Sequence, residues 1–118
     1  MNFGDTYQEY EDTEAYAKLQ GPNIKEFITK KVVILGRAPG EPTEDEQKII
    51  FSDSQIISRQ HLKIFWDFDT HEWKIQSLTK NKIFVNKFLI QRDDPPLHLE
   101  DCAAIKFDKY MFYFFPAF

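Results

Sequence analysis

The stretch that decides the fold is Ile57-Ser58-Arg59-Gln60-His61-Leu62-Lys63-Ile64. Its first half places a hydroxyl, a guanidinium and an imidazole within four residues, and its second half continues to Trp66 as an alternating apolar pattern. Alternation with a period of two is typical of a strand with one buried face. Polar groups at the start of a strand lie on a loop that a rigid sheet holds in place, where binding sites are commonly built. The stretch therefore predicts a β-strand preceded by a binding loop.

Two further polar clusters stand at the ends of predicted strands. Gly36-Arg37 follows the apolar run at residues 32–35, and Lys80-Asn81-Lys82 precedes the apolar run at residues 83–85. The β-branched residues of these runs favour strands. We expect the three polar clusters to meet at one edge of the fold and to hold a phosphate there.

Short strand patterns separated by turn residues recur along the chain. Residues 38–48 are rich in proline and like charges, so we expect a loop there with at most one helical turn. Residues 27–29 and 31–35 predict a strand pair or one kinked strand. The other expected strands cover residues 16–19, 49–51, 62–66, 73–77, 83–85, 88–90, 103–107 and 110–115. Many short strands with frequent turns and no convincing helix predict an all-β sandwich or barrel.

Size and composition restrict the class of protein. A chain of 118 residues with 42% hydrophobic residues is large enough for one domain with a real core. The single cysteine, Cys102, cannot form an internal disulfide, which favours a reducing compartment. No apolar run is long enough to span a bilayer, and the acidic N-terminus is not a signal peptide, so we expect a nuclear or cytoplasmic protein. A net charge of −4 argues against bulk nucleic-acid binding.

The polar clusters together resemble a known family. Gly36-Arg37, Ser58-x-x-His61 and Asn81 ahead of Phe84-Val85-Asn86 are similar in order and spacing to the forkhead-associated (FHA) domain. Residues 16–21, 57–62, 80–85 and 95–99 further resemble the FHA domains of forkhead-type transcription factors. The resemblance covers residues 16–115. It implies a β-sandwich of two mostly antiparallel sheets, without substantial helix, that binds phosphothreonine in partner peptides. We expect residues 15–118 to form this domain and residues 1–14 to form a flexible acidic arm.

The chemistry of a phosphate suits the side chains in these clusters. A phosphothreonine carries nearly two negative charges and three acceptor oxygens at neutral pH. Arg37 can supply a bidentate donor fork, and Ser58 can supply a hydroxyl and its own N–H. Asn81 can hold the main chain of the peptide beside the phosphothreonine. The predicted phosphopeptide-binding residues are Arg37, Ser58, Arg59, Lys80, Asn81 and Lys82.

Three other residues are predicted to support the site rather than to contact the ligand. The resemblance makes His61 a brace that hydrogen-bonds behind Ser58, and Gly36 lets the chain turn closely before Arg37. Asn86 is the third predicted supporting residue. Lys82 stands where the family usually has glycine, and a positive φ there would cost a lysine of order 1 kcal/mol.

Other functions are less consistent with the sequence. Taken singly, Arg37 is an ordinary surface arginine and Ser58 a turn cap. The histidines and Cys102 lack the spacing of metal ligands, so we expect no metal and no cofactor. Ser58 and His61 are too close along an extended strand to act as nucleophile and base, and no Gly-x-Ser-x-Gly elbow occurs. We therefore expect that the protein is not an enzyme.

The expected partner is a phosphothreonine-containing protein or peptide. The resemblance places the protein in the nucleus as part of a transcription regulator. We expect no membrane contact, a monomer, and no direct DNA binding, because no basic winged-helix segment is present. The alternative is a phosphate-independent interaction scaffold that uses a sheet face of the same fold, and the aromatic run at residues 110–115 could supply such a surface. Arg37→Ala separates the two, since it should abolish binding only in the first case.

Overall fold

The computed structural model describes residues 15–117, so the arm predicted at residues 1–14 lies outside the described residues. Within residues 15–117 the secondary structure consists of eleven strands and no α-helix: β1 (Ala17–Gly21), β2 (Ile24–Ile28), β3 (Val32–Gly36), β4 (Gln47–Ile50), β5 (Leu62–Asp67), β6 (Glu72–Ser77), β7 (Ile83–Val85), β8 (Phe88–Ile90), β9 (Leu97–His98), β10 (Ala103–Phe107) and β11 (Tyr110–Pro116). No helix in this part of the chain is long and apolar enough to cross a bilayer.

The strands form two sheets. Sheet A has six strands in the order β2-β1-β11-β10-β7-β8, and sheet B has five strands in the order β4-β3-β5-β6-β9. β3 and β4 pair in parallel, and the other described pairs are antiparallel. The predicted sandwich of two mostly antiparallel sheets is therefore confirmed for the described residues.

The core lies between the two sheets and follows from the alternation along each strand. On β11, Phe112 and Phe114 are fully buried, whereas the residues between and before them, Met111 and Tyr113, are each 38% exposed. On β6 of the opposite sheet, Ile75 is fully buried in the same core. Successive side chains of a strand point to opposite faces, so each sheet presents one apolar face to the other. The ends of the strands are left free to carry loops.

Two predicted hairpins have the expected pairing. β5 and β6 are antiparallel from Leu62↔Ser77 to Asp67↔Glu72. The carboxylate of Asp67 accepts a hydrogen bond from Lys74 and from two backbone N–H groups of the turn, and these bonds lower its pKa to about 2. β7 and β8 are joined by two residues with positive φ, Asn86 at 49° and Lys87 at 75°. Two consecutive positive φ values are typical of the type I′ turns that close tight hairpins.

The segment at residues 27–35 differs from both forms that the sequence predicts. β2 pairs with β1 in sheet A, and β3 pairs with β4 and β5 in sheet B, so the two strands neither pair with each other nor form one kinked strand. The chain crosses between the sheets at residues 29–31. The side chain of Gln47 bonds the backbone there: it accepts from the N–H of Thr29 at 2.9 Å and donates to the carbonyl of Phe27 at 2.8 Å. β4 begins at Gln47, inside the predicted loop, because its backbone pairs with β3 from Val33↔Gln47 onward.

Candidate functional site

Three loops meet at one rim of the sandwich. The first follows β3 and begins at Arg37, the second precedes β5 and carries Ser58, and the third joins β6 to β7 and carries Asn81. The backbone N–H of Arg37 donates to the carbonyl of Ser58 at 2.9 Å, and the N–H of Ala38 donates to the carbonyl of Arg59 at 3.1 Å. The first two loops therefore run side by side and are bonded as a short continuation of the sheet.

Gly36 is placed where only glycine fits. A Cβ added to Gly36 would lie 2.1 Å from the carbonyl oxygen of Arg59, 2.8 Å from its carbonyl carbon and 2.9 Å from the carbonyl oxygen of Ser58. All three atoms belong to backbone, which cannot move aside as a flexible side chain would. Glycine is thus required at this position because the backbones of the two loops approach each other closely.

Arg37 is oriented by a bond to the second loop. Its side chain is half-buried, and Nε donates to the carbonyl oxygen of Ile57 at 3.0 Å. A guanidinium has five N–H donors in a rigid planar fork, so this bond leaves the four donors of the two Nη groups available for a ligand.

His61 holds the second loop from behind. Its Nδ1 accepts the backbone N–H of Ser58 at 3.0 Å, and the imidazole ring packs on Phe107 at 4.5 Å between ring centroids. The side chain is only 1% exposed, and this burial lowers its pKa to about 4. The ring is therefore neutral near pH 7, with Nδ1 as the acceptor and the proton on Nε2. Nε2 has no hydrogen-bond partner in the described part of the chain.

A buried threonine connects the second loop to the third. The hydroxyl of Thr79 lies 2.6 Å from the hydroxyl of Ser58 and accepts the backbone N–H of Asn81 at 3.1 Å. The side-chain amide of Asn81 in turn donates to the carbonyl oxygen of Ile56 at 2.9 Å. Thr79 is 2% exposed, and its own backbone accepts the hydroxyl of Ser77 at 3.2 Å. These bonds set the position of Ser58 and Asn81 relative to each other.

Sequence reasoning missed Thr79. The available signal was a hydroxyl two residues before Asn81, inside the same short connection between two strands. Small hydroxyl residues commonly bond nearby backbone groups in such turns.

The remaining predicted residues divide into two groups. The side chains of Arg59, Lys80 and Lys82 are exposed on the same loops, where they add positive charge to the rim. Lys82 is not among the described residues with positive φ, so the strain considered for a lysine at this position does not arise. Asn86 lies in the β7–β8 turn and exchanges two 2.9 Å hydrogen bonds with the backbone of Ala104 on β10.

The arrangement is suited to binding an anion. It combines a half-buried guanidinium, a half-buried hydroxyl and several exposed cationic side chains on loops that are bonded to one another. The described residues contain no group of three or more histidine, cysteine or acidic side chains that could hold a metal ion.

Comparison with known proteins identifies the family. The family model of the FHA domain matches residues 33–108, so the chain belongs to the FHA domain family. The transcriptional activator FHA1 of Nicotiana tabacum is 33% identical over 104 residues, which cover 87% of this chain and 50% of that protein. The fork-head transcriptional regulator FHL1 of Candida albicans is 33% identical over 79 residues, which cover 66% of this chain and 7% of that protein. The chain thus spans half or less of the length of these two relatives.

Solved structures show the same fold. The N-terminal FHA domain of S. cerevisiae Rad53p, determined in complex with a phosphothreonine peptide, has a TM-score of 0.70 to this chain at 12% identity, with 86% of this chain and 93% of that chain covered. The MEK1 FHA domain has a TM-score of 0.66 at 18% identity, with 96% and 98% covered.

Proposed function

We propose that this chain is a phosphothreonine-dependent peptide-binding module whose site is the rim formed by Arg37, Ser58 and Asn81. The observation that carries the proposal is the hydrogen-bond network on this rim. The carbonyl oxygens of Ile57 and Ile56 hold the side chains of Arg37 and Asn81. The hydroxyl of Thr79 bonds the hydroxyl of Ser58 and the backbone N–H of Asn81. The FHA family membership supports it, as does the phosphothreonine peptide in the complex of the Rad53p domain.

In this proposal each polar group of the network has a distinct task. Since Nε of Arg37 is engaged, its two Nη groups form charge-assisted bonds to the phosphate oxygens. When Thr79 donates its hydroxyl hydrogen to Ser58, the hydroxyl hydrogen of Ser58 is free to donate to a phosphate oxygen. The amide nitrogen of Asn81 is used by Ile56, so its Oδ1 can accept an N–H from the main chain of the peptide. Arg59, Lys80 and Lys82 contribute attraction through their charge.

The wider role is inferred from the relatives. The names of the tobacco and Candida proteins describe regulators of transcription, which supports a binding module of a nuclear transcription regulator. The module acts by binding rather than as an enzyme, needs no cofactor, works as a monomer and leaves DNA contact to other parts of such a regulator. This chain covers half or less of the length of these relatives. The role of the whole protein in transcription is therefore part of this proposal.

The test is binding to a phosphothreonine peptide library, with the same library unphosphorylated as the control. Arg37→Ala removes hydrogen bonds to a charged group, each worth about 1.5–3 kcal/mol, so affinity should fall by at least about tenfold. Arg37→Lys is the matched control: it keeps the charge but loses the fork, and should bind with intermediate affinity. Equal binding of both libraries by a folded wild-type chain would refute phosphate dependence.

The second candidate is a phosphate-independent scaffold that binds protein through the outer face of sheet A. It is favoured by large apolar side chains exposed there, among them Phe84, Met111 and Tyr113, at 37–38%. A partner that binds Arg37→Ala as tightly as the wild type would support this candidate.

A further inference from the structure

A row of large side chains crosses the outer face of sheet A. In the strand register, Leu89 on β8 lies opposite Phe84 on β7, Phe84 lies opposite Lys106 on β10, and Lys106 lies opposite Met111 on β11. Each is exposed, because the alternate residues of the same strands, such as Ile105, fill the core. We refer to Leu89, Phe84, Lys106 and Met111 as the outer row.

The outer row is continuous with the proposed phosphate site. One cleft of about 540 Å³ is lined by Ile56 and Asn81 and by Phe84 and Lys106. A second cleft of about 630 Å³ is lined by Phe84 and Lys106 again, and by Met111. Because two side chains line both clefts, a ligand seated at Asn81 can extend without interruption onto the apolar face of the sheet.

The charge along this path is positive. The cationic side chains that line the two clefts are Lys80, Lys82, Lys87 and Lys106, and the one carboxylate in the described lining is Asp108. Lys106 lies between two large apolar neighbours, so its methylene stem can pack on apolar surface while its ammonium group stays available to a ligand. The two clefts therefore combine apolar side chains with cationic ones that suit an acidic ligand.

We propose that the outer row is a second contact site for the same phosphopeptide, and that it binds a large apolar side chain of the peptide with an acidic residue beside it. This proposal rests on the proposed function.

The number of peptide residues between the phosphothreonine and the apolar residue follows from strand geometry. Residues 81 to 84 span about 10 Å, and the two strand spacings from Phe84 to Met111 add about 10 Å. An extended peptide covers that range in about three to six residues, so the apolar residue lies within that distance of the phosphothreonine.

The experiment uses a peptide library with a fixed phosphothreonine and degenerate flanks. The wild type should select a large apolar residue at one position within that range, together with acidic neighbours. Phe84→Ser should remove the apolar selection and weaken the selected peptide by about tenfold, while a version of the peptide with alanine at that position should bind both proteins equally. Lys106→Gln should remove the acidic selection.

Tyr113 provides the matched control. It lies on the same face, on the same strand as Met111 and with the same 38% exposure, but lines neither cleft. Tyr113→Ser should therefore keep the wild-type selection. If thermal unfolding shows that Phe84→Ser does not fold, Met111→Ser takes its place.

The possible outcomes separate the two proposals. Phosphate-dependent binding by the wild type that is the same in Phe84→Ser would overturn the outer row alone. Absence of binding to any phosphopeptide, in a folded chain, would overturn both. Binding that requires Phe84 but not the phosphate would also overturn both and would support the scaffold candidate.

Discussion

Replacing Gly36 with alanine should disconnect the first two loops of the site. The added Cβ would lie 2.1 Å from the carbonyl oxygen of Arg59, and ordinary contacts of a Cβ atom begin near 3.4 Å. The end of β3 and the second loop must therefore separate by about 1 Å, and this movement has to come from backbone that is otherwise hydrogen-bonded.

The expected loss of stability follows from the backbone hydrogen bonds that join the first two loops. The N–H of Arg37 to the Ser58 carbonyl, at 2.9 Å, and the N–H of Ala38 to the Arg59 carbonyl, at 3.1 Å, both join the two loops that the new methyl group pushes apart. Each backbone bond is worth about 1 kcal/mol, so we expect the free energy of unfolding to fall by about 2 kcal/mol. The guanidinium of Arg37 moves with the same loop, and affinity for a phosphothreonine peptide should fall by at least about tenfold.

Urea denaturation measures the first quantity, and fluorescence anisotropy of a labelled phosphothreonine peptide measures the second. Gly40→Ala is the matched control. Gly40 lies in the same connection with φ of 105°, and nothing lies within 4 Å of an added Cβ. It should lose about 1 kcal/mol through backbone strain and keep its affinity. Wild-type stability and affinity in Gly36→Ala would refute the argument from close approach.

Three further predictions concern the support and the charge of the site. The pKa of His61 is lowered from 6.5 to about 4, so the folded state binds fewer protons than the unfolded state between these values. The free energy of unfolding should therefore fall by about 3 kcal/mol as the pH drops from 6.5 to 4, and urea titrations of His61→Gln should lack this slope. Thr79→Val keeps the shape but leaves Asn81 N–H without its acceptor. It should cost about 2 kcal/mol in urea denaturation and reduce phosphopeptide affinity several-fold, whereas unchanged affinity would contradict the role of the hydroxyl. The double variant Lys80→Ala, Lys82→Ala should bind more weakly at low salt and converge with the wild type at high salt, and parallel salt curves would show that the two charges do not reach the phosphate.

Local patterns in the sequence predicted most of the strands. The alternation of residues 62–66 and 73–77 identified β5 and β6, and the Asn86-Lys87 pair identified the turn between β7 and β8. Such signals are local, because a strand with one buried face alternates whatever it pairs with. The separation of β2 from β3 could not be predicted, since it depends on contacts between distant residues such as Gln47 and Thr29.

For the candidate site, the residue types could be predicted from the sequence, but the contacts between distant residues could not. The residue types in the three polar clusters indicated a phosphate ligand, and the resemblance to the FHA domain supplied the roles. The contact between Ser58 and Thr79 joins residues 21 positions apart, so no local pattern could indicate it. The 1% exposure of His61 likewise depends on Phe107, which is contributed by the other sheet. Asn86 shows the limit of the motif: it follows the site residues in the sequence, but its hydrogen bonds stabilise the β7–β8 turn rather than the three loops of the rim.

The most direct test of the central claim is to map where a phosphothreonine peptide binds. Titration of the isotopically labelled chain with a library-selected phosphopeptide, followed by backbone amide resonances, reports every contacted loop at once. We expect the largest shifts at Arg37, Ser58, Arg59 and Asn81, with no comparable shifts for the unphosphorylated peptide. Shifts confined to the outer face of sheet A, or identical shifts with and without the phosphate, would contradict the claim that this rim binds phosphothreonine.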